Sequence, residues 1–154
     1  MGKTPRDDRA EAADLVLDQG HGRRDLALPK IALLIQGALL RFDGERYLLI
    51  AWCVMPNHVH VLVKILAGHR LDRVVHSWKS FTAHAGNRLL GRTGPFWAPE
   101  YFDRYMRDDA HLAATRTYVE ENPVRARLCR DAGDWPFSSA SMRLGGRDAR
   151  GPTA

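Results

Sequence analysis

The sequence has 154 residues, a length that suits one compact domain with a hydrophobic core. Hydrophobic residues make up 45% and charged residues 27% of the chain, which excludes a disordered or fibrous protein. The formal net charge of +5 favours a polyanionic partner. Residues 64–107 hold eight basic and three acidic side chains, so this segment alone accounts for the net charge.

The sequence also indicates a compartment. Two cysteines, Cys53 and Cys129, are too few for a disulfide scaffold, and Cys53 lies in an apolar run typical of a core strand. The charged start of the sequence shows no secretory signal, and the longest apolar run, Tyr47–Met55, is far shorter than the ~20 residues of a membrane span. We therefore expect a cytoplasmic protein without a membrane partner.

The first half of the chain predicts two helices and two strands. Apolar residues recur at helical spacing between Leu28 and Phe42, and again between Leu71 and Leu89. Residues 46–55 are apolar and β-prone, and residues 58–65 alternate between polar and apolar side chains. The Met-Pro-Asn turn between these two segments predicts that they pair as antiparallel strands.

The second half begins with a loop over residues 91–99 and a segment of undetermined type, Tyr101–Arg107. Asp108 and Asp109 can cap a helix over residues 110–122, which ends near Asn122 because Pro123 disfavours helical geometry before it. A short helix is predicted over residues 123–128, and residues 134–137 are predicted to pack aromatic rings on the domain. Residues 1–12 and 141–154 are predicted to be flexible ends around a domain over residues 13–140.

His58 and His60 are the first candidate functional residues. Residues i and i+2 of a strand point to one face, so both imidazoles can approach a single divalent cation. Valines at the alternate positions then face the core. The alternative is that the two histidines are ordinary polar residues on a solvent-exposed face.

Tyr118 and Asn122 form the second candidate pair. They lie four residues apart on one face of the predicted helix, provided that the helix reaches Asn122. A tyrosine hydroxyl is a weak nucleophile unless a nearby cation activates it. From the spacing alone, we favour the alternative that Tyr118 is a half-buried helix aromatic and that Asn122 ends the helix.

The third feature is the mixture of basic and aromatic residues in the segment that carries the charge. Cations compensate phosphates and aromatic faces stack on unpaired bases, a combination suited to single-stranded nucleic acid. The alternative is a charged helix surface, and for Trp78 and Phe81 we favour positions in the core. The residues concerned are Arg70, Arg73, Trp78, Lys79, Arg88, Phe96, Trp97, Arg104 and Arg107.

Several strings together resemble one known family. They are AWCVMPNHVHVLV at 51–63, HSWKSF at 76–81, FW at 96–97, YFDR at 101–104, RD at 107–108, YVEENPV at 118–124 and DWPFSS at 134–139. They resemble the REP-associated tyrosine transposases, part of the IS200/IS605-like Y1 group of HUH nucleases. The resemblance extends from about residue 15 to residue 140.

The resemblance implies an α+β fold with a ferredoxin-like antiparallel sheet and helices packed on it. It implies that His58, His60 and Asn122 bind Mg²⁺ or Mn²⁺ and that Tyr118 attacks single-stranded DNA near a hairpin, forming a 5′-phosphotyrosine intermediate for strand transfer. A monomer or homodimer is expected. The residues expected to contact DNA are Arg70, Arg73, Lys79, Arg88, Trp97, Arg104, Arg107 and Arg125.

One departure from the family concerns the start of the chain. Members begin with a strand ahead of the segment that corresponds here to residues 14–22, and this sequence starts too late to contain it. We therefore expect that the first strand is missing, which would expose the edge of the histidine strand. Such a chain would be an N-terminally truncated copy or the product of a misplaced start codon.

Two rival functions remain open. A truncated member could be a catalytically inactive DNA-binding remnant or a domesticated regulator. A His-x-His sequence also occurs in nucleotide hydrolases of the histidine-triad type, but their chemistry requires a third alternating histidine, and Leu62 occupies that position.

Overall fold

The computed structural model describes residues 12–20 and 22–144. Its strands form one antiparallel sheet in the order β2-β3-β1-β4, and helices pack on both faces, which confirms the predicted α+β class and ferredoxin-like order. The elements are β1 (Ala12–Asp18), α1 (Pro29–Arg41), β2 (Tyr47–Val54), β3 (His58–Ile65), α2 (Leu71–Leu90), β4 (Tyr101–Tyr105), α3 (Asp109–Glu120), α4 (Asn122–Arg125) and α5 (Ser139–Leu144).

The two faces of the sheet bury different sets of side chains. The larger core lies between the sheet and helices α1 and α2, with Leu15, Val61 and Trp78 among its members. A smaller cluster lies on the other face, where Val119 of α3 packs against Leu62 of β3. Because side chains alternate along each strand, the even-numbered positions of β1, β3 and β4 all point to the face that carries α3.

The prediction that the first strand is missing is wrong, because the chain contains strand β1. Residues 12–18 pair along their whole length with β3, from Ala12 opposite Lys64 to Asp18 opposite His58, and the other side of β1 pairs with β4. The histidine strand therefore has neighbours on both sides and no exposed edge. The sequence of β1 gives only a weak strand signal, because it contains two aspartates and glycines follow closely. Its pairing with β3 and β4 identifies it as a strand.

The ends of the domain also differ from the prediction. Ala12 already belongs to β1, and α5 extends to Leu144, beyond the predicted boundary at residue 140. The remaining parts of the two predicted flexible ends, residues 1–11 and 145–154, lie outside the described residues.

The middle of the chain follows the prediction closely. The two long helices and the β2-β3 hairpin are confirmed within one or two residues, and the undetermined segment at residue 101 is strand β4. The Asp108 side chain accepts a hydrogen bond from the backbone N–H of His111, which confirms the helix cap. Trp135 anchors the late segment by donating a hydrogen bond to the carbonyl of Val54.

The loop before β4 is held tightly against α2. The ring of Phe96 is buried beside Gly86, where an added Cβ would lie 2.7 Å from Cε1 of the ring. Asp25 binds the same loop through an ion pair with Arg92. Arg23, which also pairs with Asp25, donates a hydrogen bond to the Pro95 carbonyl in that loop. Across residues 12–20 and 22–144, no helix has both the length and the apolar character needed to cross a bilayer.

Candidate active site

His58 and His60 lie at the start of β3 and face α3. Neither side chain is fully open to solvent, because His60 is only 5% exposed and His58 is half-buried. The tight turn at Pro56 places His58 directly after the hairpin, where the backbone N–H of Met55 donates to the carbonyl of His58. The strand alternation therefore produces a partly enclosed histidine pair.

Asn122 joins the two histidines from the opposite layer. Helix α3 ends at Glu120, and Asn122 begins α4 directly afterwards, so the amide still points to the sheet. Its Nδ2 atom lies 3.4 Å from Nε2 of His58 and 3.4 Å from Nδ1 of His60. Rotation of the amide by half a turn exchanges nitrogen and oxygen, so Oδ1 of Asn122 can occupy the same position.

The other nitrogen of each imidazole has its own partner. Nε2 of His60 lies 2.5 Å from Oδ1 of the buried Asp14, and Nδ1 of His58 lies 2.9 Å from Oδ1 of Asn57. Because a carboxylate and an amide oxygen accept hydrogen bonds, each histidine donates outward and keeps a lone pair directed at Asn122. The strand pairing thus supplies Asp14, which the sequence pattern alone did not single out.

The electrostatics around His58 favour an uncharged imidazole. Burial lowers the pKa of His58, and the neighbouring His60 lowers it further, against a smaller opposite effect from Asp18. A neutral imidazole is the form that binds metal ions.

The residues present fit a divalent cation. In the part of the chain that the structure describes, no three His, Cys, Asp or Glu side chains converge, and the side chain that approaches both His58 and His60 is the Asn122 amide. Two imidazole nitrogens and one amide oxygen would leave open positions on such a cation for water or another oxygen ligand.

Tyr118 lies beside this group on the last full turn of α3. Its ring centroid is 5.9 Å from that of His60, in an edge-to-face arrangement, and the residue is 53% exposed. The guanidinium of Arg125 lies 3.6 Å from the centroid of the tyrosine ring and donates to the Tyr118 carbonyl. An open pocket of about 410 Å³ adjoins Tyr118 and His60.

An ion pair between the buried Glu120 and the exposed Arg143 fixes the helix that carries Tyr118. The carboxylate of Glu120 accepts hydrogen bonds from Arg143 and from the hydroxyl of Ser139, both on α5. The Ser139 hydroxyl also accepts from the backbone N–H of Trp52 on β2. Glu120 therefore connects α3 to α5 and to the sheet, between the positions of Tyr118 and Asn122.

Two residues predicted to contact DNA have other roles. Trp97 is 8% exposed, and its indole N–H donates to the Thr82 hydroxyl, so its face is not available for stacking. Lys79 donates to the carbonyls of Ala98 and Pro99, which ties its ammonium group to the loop before β4. Neither contact was visible in the sequence, because both depend on how the loop folds against α2.

The predicted basic surface is divided between the faces of the sheet. Arg104 and Arg125 lie at the Tyr118 site. By contrast, four exposed arginines lie away from this site. Arg70, Arg73 and Arg88 lie on or beside α2, which packs on the opposite face of the sheet, and Arg107 follows β4. Phe81 was expected in the core but is 50% exposed, whereas Trp78 is buried as predicted.

Comparison with known proteins places this geometry in a family. The profile of the family described as Transposase IS200 like matches residues 40–122, which include both histidines, Tyr118 and Asn122. A REP-associated tyrosine transposase of Escherichia coli is 25% identical over 122 residues, covering 76% of this chain and 69% of that protein.

Two further relatives agree with this match. A Haemophilus influenzae protein assigned as a REP-associated tyrosine transposase is 27% identical over 100 residues, covering 58% of this chain and 57% of that protein. The solved structure of a REP-associated tyrosine transposase bound to a REP hairpin has the same fold, with a TM-score of 0.74 and 18% identity, covering 100% of this chain and 94% of that one. The chain therefore belongs to the IS200-like transposase family, in which it is similar to the REP-associated tyrosine transposases.

Proposed function

We propose that the protein cleaves and rejoins single-stranded DNA at a hairpin, with Tyr118 as the nucleophile and His58, His60 and Asn122 as the ligands of a divalent cation. The observation that carries this proposal is the convergence of two imidazole lone pairs and one amide beside the half-exposed Tyr118 ring. Family membership supports the transposase chemistry, and the hairpin bound by a relative of the same fold supports the DNA partner.

The reaction exchanges one phosphodiester for another. The Tyr118 oxygen bonds to phosphorus while the bond from phosphorus to the 3′-oxygen breaks, the phenol proton is lost, and the leaving oxygen gains one. The product is a 5′-phosphotyrosine and a free 3′-hydroxyl. Attack by another 3′-hydroxyl reverses the step and joins strands without an external energy source. A divalent cation held by His58, His60 and Asn122 would polarise the scissile phosphate.

The protein's own residues prepare this step. Asp14 and Asn57 orient the two imidazoles, and the guanidinium of Arg125 holds the Tyr118 ring by a cation-π contact. Arg104 lines the same pocket with 53% of its side chain exposed, where it can neutralise a neighbouring phosphate. The histidine-triad alternative is disfavoured, because Leu62 is fully buried in the smaller core cluster.

The test is formation of a covalent adduct. The protein is incubated with end-labelled DNA hairpins that carry single-stranded flanks, with Mn²⁺ or with EDTA, and products are separated under denaturing conditions. We expect a Mn²⁺-dependent protein-DNA adduct that Tyr118→Phe abolishes. Tyr105→Phe, an exposed tyrosine on β4, is the matched control and should retain the adduct. DNA binding without any adduct would instead indicate an inactive DNA-binding protein.

A further inference from the structure

A row of side chains extends from the histidine site to the edge of the sheet. His60 of β3 is paired with Val16 of β1, and Val16 is paired with Phe102 of β4. Directly opposed residues in antiparallel strands point to the same face, so all three side chains face the layer that carries Tyr118. Two strand spacings place Phe102 about 10 Å from His60.

Phe102 is an exposed phenyl ring at the open end of this row. It is 59% exposed, and β4 is the last strand of the sheet. A single exposed phenylalanine is ordinary on a protein surface. This one, however, lines the pocket of about 410 Å³ that also contains His60 and Tyr118, so its exposed face belongs to the candidate active site.

Arg104 supplies positive charge at the same place. Its position on β4 is opposite Asp14, and its guanidinium lies 3.2 Å from Oδ2 of that buried carboxylate. Since Asp14 is also the partner of His60, the ion pair fixes the guanidinium beside the histidine site while half of the side chain remains exposed. An aromatic face next to a fixed cation is an arrangement that binds a base and its phosphate.

We propose that Phe102 and Arg104 form a subsite for one unpaired nucleotide next to the scissile phosphate. The base stacks on the Phe102 ring, and the adjoining phosphate contacts Arg104. This subsite rests on the proposed function and adds a binding position to it. The stacking role that the sequence suggests for Trp97 is assigned here to Phe102. The subsite also requires the flank beside the cleavage point to be unpaired, since a paired base offers no free face.

The first test measures stacking without requiring chemistry. Hairpin substrates carry the fluorescent base 2-aminopurine at one or the other position flanking the cleavage point, and fluorescence is followed as protein is added. We expect quenching at one flank with the unaltered protein and with Phe81→Ala, and none with Phe102→Ala. Phe81 is a matched control, because it is 50% exposed on α2, which packs on the other face of the sheet. Quenching by Phe102→Ala as strong as that by the unaltered protein would overturn the subsite, and so would the absence of quenching at either flank with the unaltered protein.

The second test connects stacking to the reaction. Loss of one stacked base should lower the rate of adduct formation by about tenfold, whether the loss arises from Phe102→Ala or from an abasic nucleotide at the quenched flank. The two changes together should lower the rate of adduct formation no more than either change alone. Phe102→Trp should restore the rate. Independent, multiplying losses would contradict the subsite. Absence of any adduct with the unaltered protein would refute the proposed function, while the fluorescence result still decides the subsite.

Discussion

Oδ1 of Asp14 lies 2.5 Å from Nε2 of His60, which makes a carboxylate on the first strand the partner of a histidine on the third. The two residues are 46 positions apart and meet because β1 and β3 are neighbours in the sheet. The contact determines which nitrogen of His60 carries the proton, and it leaves Nδ1 free toward Asn122.

Removal of this carboxylate should weaken metal binding. In Asp14→Asn we expect the affinity for Mn²⁺ to fall by about 10- to 100-fold, the usual effect of losing the hydrogen-bond partner of a metal-binding histidine. Titration of Mn²⁺ followed by electron paramagnetic resonance measures the affinity directly, and adduct formation at saturating Mn²⁺ separates weak binding from lost reactivity.

Asp103→Asn is the control for this prediction. Asp103 is an exposed carboxylate on the neighbouring strand β4, and strand alternation places it on the opposite face from Arg104. Its substitution should leave Mn²⁺ affinity unchanged. Equal affinities in both variants would show that Asp14 does not position His60.

The ion pair at Glu120 should make the stability of the domain sensitive to acid. Burial raises the pKa of Glu120, but hydrogen bonds from Arg143 and Ser139 outweigh burial and hold it below its ordinary value. A lowered folded-state pKa stabilises the fold above the unfolded-state value of about 4.3, and this contribution is lost as the pH falls further.

Urea unfolding of Glu120→Gln at two pH values tests this relationship. At pH 7 we expect a loss of about 1–3 kcal/mol in the free energy of unfolding, because the buried charged acceptor of the hydrogen bonds from Arg143 and Ser139 is removed. The difference from the unaltered protein should shrink as the pH falls below about 4. A difference that stays constant with pH would show that the Glu120 charge does not stabilise the fold.

The contact between Gly86 and Phe96 should be intolerant of a single methyl group. An added Cβ at Gly86 would lie 2.7 Å from the buried phenyl ring, so Gly86→Ala should lower the free energy of unfolding by about 1–3 kcal/mol. Gly37→Ala on α1 is the matched control, since nothing lies within 4 Å of its added Cβ. There the better helix propensity of alanine should stabilise the protein by up to about 1 kcal/mol.

The sequence was sufficient to identify the local features of the site. Alternation along β3 places His58 and His60 on one face, which depends only on the period of a strand. The four-residue spacing of Tyr118 and Asn122 identified the pair, but α3 ends at Glu120, so the position of Asn122 depends also on the junction between α3 and α4. Hydrophobic periodicity correctly predicted the two long helices, and the β2-β3 hairpin is also as predicted.

Tertiary structure decided everything that depends on which elements are neighbours. The sequence of β1 gives little indication of a strand. Only its pairing with β3 and β4 shows that it is the first strand of the sheet. That pairing brings Asp14 to His60 and places Phe102 in the same row of side chains. Folding of the loop before β4 against α2 buries Trp97 while Phe102 stays exposed. Composition gives both residues the same aromatic character, and only the packing of distant segments determines which ring is free to meet a base.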